Sequence, residues 1–291
     1  MKTSQVIMQP CNNSLIRLEG KMFSSLPGII LTAALLMLLV SCSGNTGNQN
    51  VVYEDMKDSF EQANLLSANI GIFTKAEKDG SVSYGECGSG VIFDKKDGAY
   101  YALTAAHVVS AESGQILVFT VNTEMNTDDI PGIDYSVLSQ DTYDAMYTAE
   151  VLYVSNRDDL AVIRFITDEE LSVIEITEND PAKDDRIMCV GNPENEWFAV
   201  SYGKVTTSGI EKFGEGQGFP SNAMRHSAYI QVGSSGGAAI GEDMKLVGIT
   251  PGASLGLDGN TFRYGVLIPA SEIRLCLEEW NGCPSQENYH G

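Results

Sequence analysis

Residues 231–250 read QVGSSGGAAIGEDMKLVGIT, and the fold turns on the segment just after the small-residue run GSSGG at 233–237. Glycine and serine supply the positive φ angles and short hydrogen bonds of a tight turn, so the run alone fits a simple bend. A serine at the centre of such a bend is also a way to present a nucleophilic hydroxyl. If a helix came next, Ser235 would sit on a strand-to-helix elbow. Instead the chain continues as AAIG, a polar break and KLVGIT, which reads as strand, turn and strand. The serine therefore belongs to a β framework.

Short apolar runs broken by turns occupy the chain on both sides of this segment: NIGIFT, GSGVIFD, YYALTAAHVV, QILVFTV, AEVLYVS, LAVIRFI, DRIMCVG, FAVSYGKVTTSGI, SAYIQVG and RYGVLIP. They are rich in β-branched and aromatic residues, and about twelve strands at this spacing predict an all-β sandwich or a pair of barrels. Helical patterning is confined to EDMKDSFEQANLLS ahead of the first strand and SEIRLCLEEW after the last. In the second, Ile273, Leu275, Leu277 and Trp280 are expected to dock on the β core.

The 291 residues, 43% of them hydrophobic, suffice for a large core, and a net charge of −21 argues against nucleic acid or anionic lipid as a partner. The N-terminal stretch LPGIILTAALLMLLVSC comes after Arg17 and Lys21 and precedes the polar SGNTGNQN. Its apolar part is short for a membrane span, which needs about 20 residues, and it reads as an export signal. The sequence Leu39-Val40-Ser41-Cys42 resembles the bacterial lipoprotein box, in which the cysteine is acylated after cleavage just before it. The expected organisation is a signal peptide over 1–41, a lipidated tether over 42–60 and a folded domain over 61–282, on the extracytoplasmic side of a membrane.

Three residues carry the chemistry. The run LTAAHVVS places His107 at the end of a strand, NRDDLAVIRF places Asp159 just before a buried strand, and Ser235 comes later on its glycine turn. A serine hydroxyl is a poor nucleophile until a neighbouring base takes its proton. Histidine supplies that base near neutral pH, and a carboxylate holds the imidazole in the right tautomer. A turn without side chains also lets the backbone N–H groups of Gly233 and Ser235 point at a developing oxyanion.

In this order TAAH, DDLAV and GSSGG resemble the chymotrypsin-like (trypsin-like) serine proteases, in particular the bacterial HtrA/Deg branch. GSGVIFD, the GNP of Gly191-Asn192-Pro193, GKVTTSGI and YGVLIPASEI extend the likeness from about Leu66 to Trp280. The resemblance implies two antiparallel six-stranded β-barrels, over about 66–167 and 170–270, with a C-terminal helix at about 271–281 and the site between the barrels. It implies His107 as general base, Asp159 as orienting acid with Asp158 the competing choice, Ser235 as nucleophile, and Gly233 and Ser235 as oxyanion donors. The implied activity is endopeptidase cleavage of exported or misfolded polypeptides without a cofactor or metal.

The sequence departs from that family in places. Ser234 stands where asparagine or aspartate is common, and Ala238 where proline is. Val108 replaces the cysteine that would pair with one near Cys87, so that disulfide is not expected. With Gly291 as the last residue, a protease without the PDZ domain of longer relatives is expected. Tyr229, six residues before the nucleophile, falls near the base of the primary specificity pocket, where the lack of an acid argues against cleavage after lysine or arginine and favours small or medium apolar residues. His226 is a candidate pocket residue or a structural hydrogen-bonding one. Cys276 and Cys283 flank an NG turn and could pair in an oxidising compartment, whereas Cys189 reads as a buried small apolar residue. No cysteine and histidine spacing resembles a zinc site.

Two other readings compete with the protease. The G-x-S-x-G pattern of an α/β-hydrolase elbow needs a helix after the serine and a triad histidine later in the chain, where only His290 remains. A protease-like domain that serves as a noncatalytic scaffold lipoprotein is the alternative of a different class.

Overall fold

The computed structural model describes residues 53–85, 88–109, 114–129, 136–193, 196–213, 219–259 and 261–281. The export signal, Cys42, most of the tether, Cys87, Cys283 and His290 lie outside the described residues. The chain opens with helix α1 (Glu54–Gln62), a 3-10 turn (Leu65–Ala68), and strands β1 (Asn69–Lys78), β2 (Ser81–Tyr84), β3 (Gly88–Lys96) and β4 (Ala99–Thr104). The one-turn helix α2 (Ala106–Val109) comes next, then β5 (Gln115–Phe119), β6 (Thr127–Asp129), β7 (Ser136–Leu138), α3 (Gln140–Asp144), β8 (Tyr147–Ser155) and β9 (Leu160–Ile166). The second half holds β10 (Arg186–Gly191), β11 (Ala199–Lys204), β12 (Glu211–Lys212), β13 (Asn222–His226), β14 (Gly237–Gly241), β15 (Leu246–Leu255), β16 (Phe262–Pro269) and α4 (Ala270–Asn281).

The first sheet runs β2-β1-β3-β4-β9-β8-β5, and β5 pairs back onto β1, which closes a six-stranded antiparallel barrel with β2 as a hairpin extension. The second sheet runs β11-β10-β14-β15-β16-β13-β12 and forms a half-barrel, the second barrel of the pair. Val205, just past β11, makes one isolated bridge with His226 at the end of β13, flanked by backbone bonds from Thr206 N to Arg225 O (2.8 Å) and from Ser227 N to Lys204 O (2.9 Å). The first barrel is thus sealed by a full ladder, whereas the second has only this short seam.

Side-chain alternation explains why so many strands read as unbroken apolar runs. Along β9, Ala161, Ile163 and Phe165 fill the first barrel, while Leu160 and Val162 face outward. On β10, Ile187 and Cys189 fill the second barrel, while Met188 and Val190 face outward. The outward residues of both join Val91, Leu103, Ala238, Ile240, Leu246, Ile249 and Ile268 in one core cluster between the barrels. Both faces of these strands are dry, so the period-two pattern expected of a half-exposed sheet disappears.

Helix α1 adds Met56 and Phe60, one turn apart, to the inter-barrel core, and Tyr53 packs on Tyr202 with ring centroids 5.2 Å apart. Helix α4 adds Ile273 and Cys276, with Leu277 and Trp280 partly buried beside them. The expected docking of Leu275 is corrected here: it is 51% exposed, because a residue two positions past Ile273 lies on the opposite side of a helix with 3.6 residues per turn. Cys276 takes the buried place instead, as a free thiol that burial pushes up to about 12. Among the described residues no helix is long and apolar enough to cross a membrane.

Candidate active site

Strand β4 ends at Thr104, and the chain turns at once into α2, which carries His107 with its side chain about half exposed. Asp159 occupies the turn between β8 and β9 with φ at 51°, a left-handed conformation that aspartate tolerates better than most residues. That geometry turns its carboxylate back toward α2. Asp159 Oδ1 accepts the His107 backbone N–H at 3.0 Å, and Oδ2 lies 2.9 Å from His107 Nδ1.

The neighbouring carboxylate is occupied elsewhere. Asp158 is buried, receives the Ser155 hydroxyl at 2.7 Å and pairs with Arg157, whose Nη2 lies 2.8 Å from Oδ2. Burial alone would raise the Asp158 carboxyl, but hydrogen bonds from Arg157 and Ser155 outweigh it and hold the group below its ordinary range. Arg157 also reaches Glu279 of α4 at 2.9 Å, which ties the β8–β9 turn to the C-terminal helix.

Ser235 lies on the turn that leads into β14. Gly233 and Gly236 have φ of 92° and 87°, where a side chain is strained. A Cβ on Gly233 would stand 2.2 Å from the Asn192 carbonyl oxygen, and one on Gly236 would stand 2.2 Å from the Ser89 carbonyl oxygen and 2.8 Å from Ala105 N. The glycines therefore let the turn press against the segment that carries His107. The Ser235 hydroxyl donates to the Pro251 carbonyl on β15 at 3.0 Å, so its one proton is directed there and not at the imidazole. The N–H groups of Gly233 and Ser235 have no hydrogen-bond partner among the described residues. Ser234, the departure from the family pattern, is buried, and its N–H donates to Gln231 O at 3.0 Å.

Tyr229 is 51% exposed, meets Phe262 edge-on at 5.2 Å and receives a hydrogen bond from Gln231 Nε2 at 2.6 Å. With Gln231, Ser234, Pro193, Val200 and Ser201 it lines a cavity of about 130 Å³ between the turn and the β10–β11 hairpin. Larger clefts of about 290 and 360 Å³ lie at Asp180–Arg186–Glu242 and at Asn122–Thr142–Glu169, and include neither His107, Asp159 nor Ser235. Cleft size is therefore no guide to the three candidate residues.

His226 lines none of these three clefts. It is fully buried inside the second barrel, with its ring so close over Gly265 that a Cβ there would stand 2.1 Å from Cε1. Its Nδ1 is 4.0 Å from Cys189 Sγ, and Nε2 is buried with no partner among the described residues. Burial pushes the imidazole down to about 4, so the ring is neutral, and the same burial raises the Cys189 thiol. A ring with no exposed surface is out of reach of a substrate in this structure. Among the described residues no group of three or more histidine, cysteine or acidic side chains is placed to hold a metal.

Sequence reasoning missed the residues that support the serine turn. Ser89, Thr104, Asn192 and Pro251 surround it, and the signal was present: Ser89 lies in GSG and Asn192 in GNP, motifs noted for their likeness alone.

Comparison with known proteins bears on the same region. Residues 88–249, more than half of the chain, match the trypsin-like peptidase domain family. The chain is similar to the "Serine protease HtrA-like" protein of Staphylococcus aureus strain MRSA252, at 24% identity over 279 residues, which is 87% of this chain and 33% of the relative. The protein of the same description from strain USA300 is 25% identical over 231 residues, 74% of this chain and 27% of the relative. The chain thus spans about a third or less of the length of these relatives.

Proposed function

The chain belongs to the trypsin-like peptidase domain family, and from that premise we propose that it is a serine endopeptidase that works through His107, Asp159 and Ser235. The observation that carries the reading is the double contact of Asp159 with His107, at the end of a strand against which the Ser235 turn is packed. In this reading the contact through Nδ1 fixes the tautomer of the imidazole, and Nε2 is the atom that acts as the base. During reaction the Ser235 hydroxyl leaves Pro251 and gives its proton to His107 as the oxygen attacks the scissile carbonyl. The oxyanion is received by the N–H groups of Gly233 and Ser235. His107 then protonates the leaving amine, and water repeats the sequence in reverse to free the acyl group. These steps use no metal and no cofactor.

Substrates in this reading are unfolded or exported polypeptides, and the aromatic Tyr229 beside Phe262 favours a small or medium apolar residue at the cleavage site. Residues 1–41 serve as a lipoprotein signal peptide, and acylated Cys42 holds the domain at the extracytoplasmic face of a membrane. Support comes from the apolar run ending in Leu39-Val40-Ser41-Cys42. Unaltered membrane association of Cys42→Ala would remove that part of the reading. For the catalytic part, a fluorophosphonate probe should label Ser235 in the native protein, located by peptide mass spectrometry. A noncatalytic scaffold would take up none.

A further inference from the structure

Two motifs of the sequence, GSG at Gly88–Gly90 and GNP at Gly191–Pro193, play no part in the triad, yet they converge on the serine turn. Ser89, fully buried on β3, grips the carbonyl groups of the same two residues whose N–H groups are assigned to the oxyanion. Its backbone N–H donates to Ser235 O at 2.8 Å, and its hydroxyl donates to Gly233 O at 2.7 Å. The same Oγ accepts from Asn192 N at 2.9 Å and Asn192 Nδ2 at 3.2 Å. One proton and two lone pairs are the whole capacity of a hydroxyl, and all are used.

Each partner is itself fixed. Asn192 is fully buried, with Nδ2 also donating to Ile70 O on β1 at 3.1 Å and Oδ1 accepting Phe198 N–H at 2.9 Å. The Ser89 carbonyl accepts the Thr104 hydroxyl at 2.6 Å, which links the cluster to the strand that leads to His107. The cluster therefore spans β1, β3 and β4 of the first barrel and the end of β10 in the second.

This arrangement matters because the turn it holds is made of residues with few intrinsic restraints. Glycine adopts positive and negative φ with similar ease, so nothing local keeps the Gly233 peptides in one orientation. An oxyanion hole works only if its donors already point at the site before charge develops there. We propose that Ser89 is a positioning residue whose hydroxyl locks the Gly233–Ser235 turn in its oxyanion-binding geometry and registers it against the strand that leads to the base. The proposal rests on the serine-protease reading.

The test compares Ser89→Ala, Ser89→Cys and Ser89→Thr with the parent, with steady-state kinetics on an unfolded casein substrate well below each thermal midpoint. The alanine variant should lose about ten- to hundredfold in kcat with KM within about twofold, less than the loss of a whole oxyanion donor because the N–H groups remain. Cysteine, nearly the same shape but a weak donor, should behave like alanine, and threonine, which keeps the hydroxyl, should recover most of the rate. A Ser89→Ala or Ser89→Cys protein that folds and keeps the parent's kcat overturns the proposal, as does a rise in KM alone. If the alanine variant does not fold, the cysteine variant decides. A Ser235→Ala control separates the two levels. Undiminished activity there ends the protease reading and this inference with it, whereas an inactive Ser235→Ala beside a Ser89→Ala of parental kcat ends only this one.

Discussion

Asp159 holds His107 at two points, its Oδ1 on the backbone N–H at 3.0 Å and its Oδ2 2.9 Å from Nδ1, while Asp158, its neighbour in the chain, turns to Arg157 and Ser155. Adjacent carboxylates thus have separate tasks, set by the left-handed turn at Asp159. Asp159→Asn should fold and lose turnover on the order of 10⁴-fold, since an amide stabilises neither the tautomer nor the imidazolium. Asp158→Asn should keep turnover within a few-fold and instead lower the thermal midpoint by several degrees, because it weakens a buried charged cluster. Equal kinetic losses in both variants would contradict this division.

Gly236 stands at φ 87° with the Ser89 carbonyl where a Cβ would be. Gly236→Ala should destabilise the protein by at least about 1–2 kcal/mol from the backbone conformation alone, and displace the serine turn so that activity falls with it. Urea unfolding and casein hydrolysis measure both effects, and a variant with parental values in each would show that the turn is not under this constraint.

Burial of His226 makes stability sensitive to acid. As pH falls, the unfolded chain's histidine binds a proton near its usual 6.5, whereas the folded ring resists until about 4. Between these values the unfolded state holds more protons, so stability drops as pH falls through the window, by a total on the order of 3 kcal/mol. Chemical denaturation at pH 7, 5.5 and 4.5 should show a steeper acid loss for the parent than for His226→Phe, which keeps a ring but cannot titrate. Parallel curves would place the acid sensitivity elsewhere.

Helix α4 offers a contrast between two leucine-sized residues. Ile273, fully buried, should cost about 2–5 kcal/mol when cut to alanine, whereas Leu275→Ser, on the solvent face, should change stability by about 0.5 kcal/mol or less. Comparable losses at both positions would contradict the docking of the helix by its 273–276–280 face.

The strands were legible in the sequence because β-branched and aromatic runs between turns have few other uses. Their partition into two barrels came from the family resemblance and not from the pattern of the strands, since outward residues such as Leu160 and Met188 are as apolar as the inward ones. Leu275 misleads when apolar character alone is counted, without the 100° step of a helix. His107, Asp159 and Ser235 stood out through the residue types around them. His226 was a candidate only through its nearness to Ser235 in the chain, with a structural role as the alternative, and its burial against Gly265 favours the latter. The motifs that hold Ser89 and Asn192 were visible, but not the roles of these two residues, because those lie in contacts between positions 103 and 144 residues apart along the chain.

The most direct measurement is hydrolysis of unfolded casein by the purified domain and by Ser235→Ala, each first shown by circular dichroism to be folded. The parent should cleave casein, lose that activity to a serine-directed reagent and keep it with a chelator, and Ser235→Ala should be slower on the order of 10⁴-fold or more. Cleavage by Ser235→Ala at the parent's rate, or no cleavage and no serine labelling in a folded parent, would contradict the assignment of Ser235 as nucleophile.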